Sequence, residues 1–245
     1  MSPIVIATLV AAGLLVGHRL RAVVFAHTSP DQPRRRHCPA CARQLLPERR
    51  PSFTTALPPT GRCPFCQARI GPPAAVLEFA TAALLGLLAA RTTSPLQLLA
   101  FDWLAVVGVA LASIDLAVHR LPNALTLPAY GGLVLLFGLA AAVDGQPDGL
   151  VRALLAGLLL AAVYLVLALV RPGAMGLGDC KLAAVLGTGM GWLGWHAVLA
   201  GTFLTFLLGG MVALLGLALG RWTRTHHIAF GPFMLAGTLV ALLTS

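Results

Sequence analysis

Charge is the scarcest commodity in this chain. Only 10% of its 245 residues are Asp, Glu, Lys or Arg, and just eight are acidic. Soluble domains carry roughly 25% charged residues, so a soluble globular protein is excluded. Apolar residues make up 58% and the mean hydropathy is +0.87. The expected fold is all-α: a polytopic membrane helix bundle with about eight transmembrane helices. The first apolar segment lacks both a preceding basic region and a following small-residue cleavage site. It therefore reads as a retained helix rather than a signal peptide.

A bilayer-spanning helix needs about 20 predominantly apolar residues. Eight spans are expected, at about 3–17 (extending toward 27), 74–90, 96–118, 124–143, 150–170, 179–199, 200–220 and 228–244. The sixth and seventh are divided at Ala200-Gly201. The region 1–95 reads as an N-terminal part, with the first two spans and a cysteine-rich loop at about 18–73. The region 96–245 reads as a membrane domain.

The net charge of +9 resembles a nucleic-acid footprint only until it is mapped. With eight spans, 15 of the 17 basic residues fall on one side, leaving Arg91 and Arg152 on the other. By the positive-inside rule the long Arg-rich loop is cytoplasmic. The expected partners of this charge are anionic lipid headgroups, not nucleic acid.

Cysteine is sparse, but four of the five are paired as Cys38-Pro-Ala-Cys41 and Cys63-Pro-Phe-Cys66. Each short turn aims two sulfurs at one point, and two such turns complete a tetrahedron, so a small cytoplasmic zinc-ribbon-like loop with a structural zinc site is expected. Four thiolates leave no open position for catalysis. A disulfide framework disagrees with a reducing cytoplasm, and redox chemistry is the lesser alternative, since neither pair sits in a thioredoxin-like strand–helix context. Cys180 stands apart and reads as a small buried residue.

Two of the few carboxylates, Asp115 and Asp179, lie in membrane-grade sequence, where a charge costs about 2.5–3.5 kcal/mol on insertion scales. Asp115 sits near the end of the third span and Asp179 at the start of the sixth, both at the cytoplasmic face by the charge map. Gly176 and Gly178 allow close backbone approach beside Asp179. Paired carboxylates can activate water: one takes its proton while the other, protonated, hydrogen-bonds to a carbonyl. Like charges a few ångströms apart naturally share one proton. An ion pair of Asp115 with Lys181 or Arg120 is the bland alternative. Glu78 reads as a solvated helix end or a support near the site, and Asp102 as an interfacial residue. Trp103, Trp192, Trp195 and Trp222 read as an aromatic belt, and His226-His227 as surface residues. A proton- or cation-coupled transporter using Asp115 and Asp179 is a competing function. So is a metal-organised scaffold without catalysis.

With these residues in view, Ile114-Asp-Leu-Ala-Val-His-Arg-Leu-Pro-Asn123 and Met175-Gly-Leu-Gly-Asp-Cys-Lys-Leu-Ala-Ala184 resemble the two catalytic segments of the type IV prepilin peptidases, GxGD-type membrane aspartyl proteases. Phe230-Gly-Pro-Phe233 resembles the motif opening their last helix. The resemblance implies Asp115 and Asp179 as the catalytic pair. Supporting positions would be Gly176, Gly178, Lys181, Pro122, Asn123, Glu78, Gly231 and Pro232. It implies prepilin or pseudopilin precursors as substrates, cut at the cytoplasmic face. Many members also N-methylate the product with S-adenosylmethionine. Gly61-Arg-Cys-Pro-Phe-Cys66 and Val76-Leu-Glu-Phe79 resemble that N-terminal region. Val16-Gly-His-Arg-Leu20 and Gly71-Pro-Pro73 stand where the family usually has other segments.

Overall fold

The structure is a computed structural model. It describes residues 2–29, 35–47, 55–170, 175–221 and 228–244. Among these it is all-α: α1 (Pro3–His27), α2 (Val76–Arg91), α3 (Pro95–Val118), α4 (Asn123–Asp144), α5 (Pro147–Val170), α6 (Leu177–Leu193), α7 (Trp195–Ala218) and α8 (Gly231–Thr244). Every expected apolar segment is a helix. Five of the eight (α1, α3, α4, α5 and α7) are long and apolar enough to cross a membrane, and α8 is a shorter apolar helix. The protein is a multi-pass membrane protein.

One boundary falls elsewhere than the hydropathy placed it. The break between α6 and α7 is at Gly194, not at Ala200-Gly201. Gly194 has φ 143°, ψ 168°, a conformation only glycine adopts without strain. Gly201 instead lies inside α7 and packs against α8, where an added Cβ would lie 3.3 Å from the Gly237 carbonyl oxygen. It is a packing glycine, not a helix breaker.

The chain divides into two compact units. The first comprises Met1–Thr93 with Ala105–Val118, and the second Ser94–Leu104 with His119–Ser245, so α3 contributes to both. In the first unit α1 and α2 approach closely. Cβ atoms built on Gly13 and Gly17 would strike the backbone of Ala82 and Glu78 at 2.5 and 2.6 Å. Small residues serve this purpose in membranes, where no hydrophobic force drives helices together.

In the second unit α5 and α6 pair in the same manner. A Cβ on Gly191 would meet Ala156 Cβ at 2.5 Å, and one on Gly187 the Ala156 carbonyl oxygen at 2.9 Å. Arg152 donates from Nε to Gly191 O (2.8 Å) and from Nη2 to Trp192 O (2.7 Å), capping the last turn of α6. A cation at that end also complements the helix dipole.

The aromatic belt is only partly realised. Trp195 is exposed, but Trp192 is buried and stacks on Phe137 with centroids 4.5 Å apart. Trp103 donates its indole N–H to Ala129 O at 3.1 Å. Tryptophan's large apolar face is as useful between helices as at an interface. Trp222 and His226-His227 lie outside the described residues. Asp102 is 7% exposed rather than interfacial, because it falls on the part of α3 packed into the second unit.

Candidate functional site

The two cysteine turns are built alike. Cys38 N–H donates to Arg43 O (2.9 Å) and Ala42 N–H to Cys38 O (3.0 Å). In the second turn Cys63 N–H donates to Ala68 O (2.9 Å) and Gln67 N–H to Cys63 O (3.0 Å). Ala42 and Gln67, each following its second cysteine, hold positive φ of 56° and 59°. That twist reverses the chain so that backbone N–H groups face the sulfurs. Isolated bridges His37–Gln44 and Arg62–Arg69 close the turns.

The four sulfurs lie within 4.8 Å of one another, with Cys38–Cys66 at 3.7 Å and Cys41–Cys63 at 3.8 Å. Zinc–sulfur bonds of about 2.3 Å in a tetrahedron require edges of about 3.8 Å. The donor set therefore fits a four-thiolate metal ion. Electrostatics agree. Burial opposes the Cys38 thiolate, but N–H groups of Cys41 and Ala40, together with the Cys63 and Cys66 thiols, outweigh it and hold the thiol down to about 6. At Cys66 the Ala68 N–H favours the thiolate, yet desolvation and the three neighbouring thiols win and push it up to about 12. Four sulfurs cannot all be charged without a cation among them.

The loop does not make its own core. Cys38, Cys63, Leu46, Leu57 and Ile70 are buried together with Ala22, Phe25 and Ala26 from the end of α1. The Arg35 N–H donates to Ala26 O at 2.7 Å, and the Arg35 guanidinium lies over the Phe25 ring at 5.3 Å. Sequence spacing located the sulfurs but missed this contribution from α1.

Glu78 is neither a solvated helix end nor unpartnered. Arg21, 4% exposed on α1, forms a two-pronged pair with it: Nε to Oε1 at 2.6 Å and Nη2 to Oε2 at 2.7 Å. The same guanidinium donates to Pro72 O (3.1 Å) and Pro73 O (3.2 Å), and His18 Nδ1 lies 3.5 Å from Oε1. This cluster ties α1, the loop exit and α2 together. Arg21 appeared in the sequence only as one arginine among many.

Asp115 lies in the last turns of α3, in the part that belongs to the first unit, and is 4% exposed. Asp179 belongs to the second unit, in the first turn of α6, and is partly exposed. Its carboxylate accepts the Gly176 N–H at 3.0 Å while its own N–H donates to Gly176 O at 3.0 Å. Gly176 has no side chain to complete a reciprocal cap, so the carboxylate alone closes the helix start. Gly178 makes room for the loop after α3, since a Cβ there would meet Leu121 Cβ at 3.0 Å. Lys181 Nζ donates to Asn123 Oδ1 at 2.7 Å, joining the starts of α6 and α4, next to Pro122. Cys180 is buried, as expected.

Gly231 and Pro232 open α8. The preceding Phe230 anchors that opening in an aromatic cluster with Tyr164 of α5 and Phe206 of α7, at centroid distances of 6.3 and 5.5 Å.

Comparison with known proteins covers both aspartates. The type IV leader peptidase family matches residues 103–214. A prepilin leader peptidase/N-methyltransferase of Aeromonas salmonicida (strain A449) is 36% identical over 216 residues, spanning 84% of this chain and 70% of that protein. One from Pseudomonas aeruginosa is 32% identical over 209 residues, with the same shares of the two chains. No solved structure matches. Nothing among these relatives supports a transporter. A multi-pass helical membrane protein matched by this family's pattern over residues 103–214, with relatives this similar over most of its length, belongs to the type IV leader peptidase family, which consists of aspartic-type peptidases.

Proposed function

We propose that Asp115 and Asp179 are the catalytic pair of this peptidase, cutting prepilin-like or pseudopilin precursors at the cytoplasmic membrane face. The observation that carries the reading is the family match, which runs across both aspartates and their flanking segments. One carboxylate, ionised, takes a proton from water as the oxygen attacks the scissile carbonyl carbon. The other, protonated, hydrogen-bonds to the carbonyl oxygen. Collapse of the tetrahedral species breaks the C–N bond, and the proton goes to the departing amine.

The supporting residues act on position. The Gly176 N–H holds Asp179, while Gly178 and Leu121 set how closely the two loops approach. The Lys181–Asn123 bond fixes the starts of α6 and α4, Pro122 leads into α4, and Gly231-Pro232 opens α8. The Arg-rich loop lies in the cytoplasm of a bacterial plasma membrane. Cys38, Cys41, Cys63 and Cys66 hold a structural Zn2+. The relatives' names include N-methyltransferase; in this chain that second activity would methylate the new N-terminal amine, S-adenosylmethionine supplying the methyl group and leaving as S-adenosylhomocysteine while the amine gives up a proton.

The test is cleavage of a prepilin-like substrate by the wild type and by Asp115→Asn and Asp179→Asn. Each variant is expected to lose about 10²–10⁴-fold in rate, the range of a lost general acid or base. Wild-type cleavage by either variant rejects the pair. Labelled S-adenosylmethionine with pre-cleaved substrate tests methylation separately.

A further inference from the structure

The first unit contains a cavity of about 450 Å³ where the end of α1, the exit of the second cysteine turn, the start of α2 and the end of α3 converge. Two guanidiniums, Arg35 and Arg69, line it, and none of its described lining residues carries a carboxylate. Among the described residues neither arginine has a carboxylate partner. Arg35 lies over Phe25, and Arg69 Nε donates only to Gly71 O at 3.4 Å. The remaining wall is mostly apolar, with Val24, Ile70, Val76 and Leu116 among it. Val76 and Leu116 are themselves 49% and 65% exposed, so the apolar side continues onto the outer surface of the helices.

The cavity is preformed. Its Ile70–Pro73 wall is held on one side by the second cysteine turn, through Ile70 N–H to Gly61 O at 2.9 Å. On the other side Arg21 grips the carbonyls of Pro72 and Pro73. Two of the helices that end at this cavity, α1 and α3, are long and apolar enough to cross a membrane, and the ends of such helices meet the level of lipid phosphates. Cationic pockets between helices at that level suit anionic headgroups.

We propose that this cavity binds the phosphate of an anionic glycerophospholipid, with Arg35 and Arg69 on the phosphate and an acyl chain along Val76 and Leu116. A zwitterionic lipid lacks the net charge two guanidiniums demand, and a free phosphate leaves the apolar wall unused. Ser113, Leu116 and Ala117 line the cavity on the same stretch of α3 that carries Asp115. A bound lipid would therefore brace the helix end bearing that carboxylate.

Native mass spectrometry of the full chain in detergent micelles tests this, with phosphatidylglycerol, phosphatidylcholine and inorganic phosphate as probes. Phosphatidylglycerol is expected to be retained about tenfold over phosphatidylcholine, and the double variant Arg35→Gln/Arg69→Gln should abolish that preference. Arg43→Gln, an exposed arginine of the same loop outside the cavity, should leave it intact. Gly71→Trp fills the cavity without changing charge, because a Cβ at Gly71 meets nothing within 4 Å, and it should weaken retention as well. Bound metal reports that each variant has folded, and a double variant that loses its metal leaves Gly71→Trp to decide. Equal retention of the two lipids overturns the proposal, as does equal loss with Arg43→Gln, which would mean diffuse attraction. Displacement of phosphatidylglycerol by an equal concentration of inorganic phosphate would assign the site to the free anion instead.

Discussion

Arg21 and Glu78 meet through two hydrogen bonds of 2.6 and 2.7 Å, with Arg21 almost wholly buried between α1 and the loop exit. Removing one partner strands the other charge, which for a buried pair costs about 3–5 kcal/mol. Arg21→Ala is therefore expected to lower the thermal unfolding midpoint in detergent sharply. The double variant Arg21→Met/Glu78→Leu should recover much of the loss. A single variant as stable as wild type would show that the pair is not structural.

One metal ion per chain is expected in purified protein, measured by elemental analysis, and Cys63→Ser should lose it. Chelation should loosen the segment 36–73 before the helices, seen as faster amide exchange there, because the loop's own apolar residues are few. Metal retention should fall as pH falls, since binding requires thiolates and acid returns their protons.

Lys181 and Asn123 join the starts of two helices at the surface. An exposed polar link contributes little to stability, roughly 0–1 kcal/mol. Its removal should instead appear in catalysis. Lys181→Met and Asn123→Ala are each expected to lower kcat by roughly tenfold with an unchanged melting temperature, by misplacing Asp179. A double variant no worse than either single one would confirm that both act through one bond.

Gly191→Leu should be among the most damaging substitutions outside the sites. Even a Cβ there lies 2.5 Å from Ala156 Cβ and 2.9 Å from Ala153 Cα. Overpacking costs typically 1–3 kcal/mol, more when backbone must move. Loss of monodisperse protein in size-exclusion chromatography measures it.

How much of this was legible in the sequence varies with the physics. The apolar runs announced the helices, five of them long and apolar enough to cross a membrane, because a span demands length and hydropathy, both one-dimensional properties. The Gly194 break was less legible than Gly201, since hydropathy cannot tell a glycine with positive φ from one that admits a neighbouring helix. Trp192 looked interfacial for a similar reason. A helix that is apolar on every side gives no periodic signal separating its lipid-facing residues from its packed ones. The four cysteines were fully legible, because C-x-x-C geometry is local.

By itself, the sequence determined the membrane class, the apolar segments that form the helices among the described residues, the pairing of the four cysteines in two turns and the segments around Asp115 and Asp179. All follow from composition, run length or short-range spacing. Tertiary structure alone decided that Arg21 clamps Glu78 57 residues away. It also decided that α1 lends Ala22, Phe25 and Ala26 to the metal loop, and that Lys181 reaches Asn123. These contacts depend on which faces of two helices meet. In a membrane that choice rests on close packing and polar partners, which no single stretch of chain records.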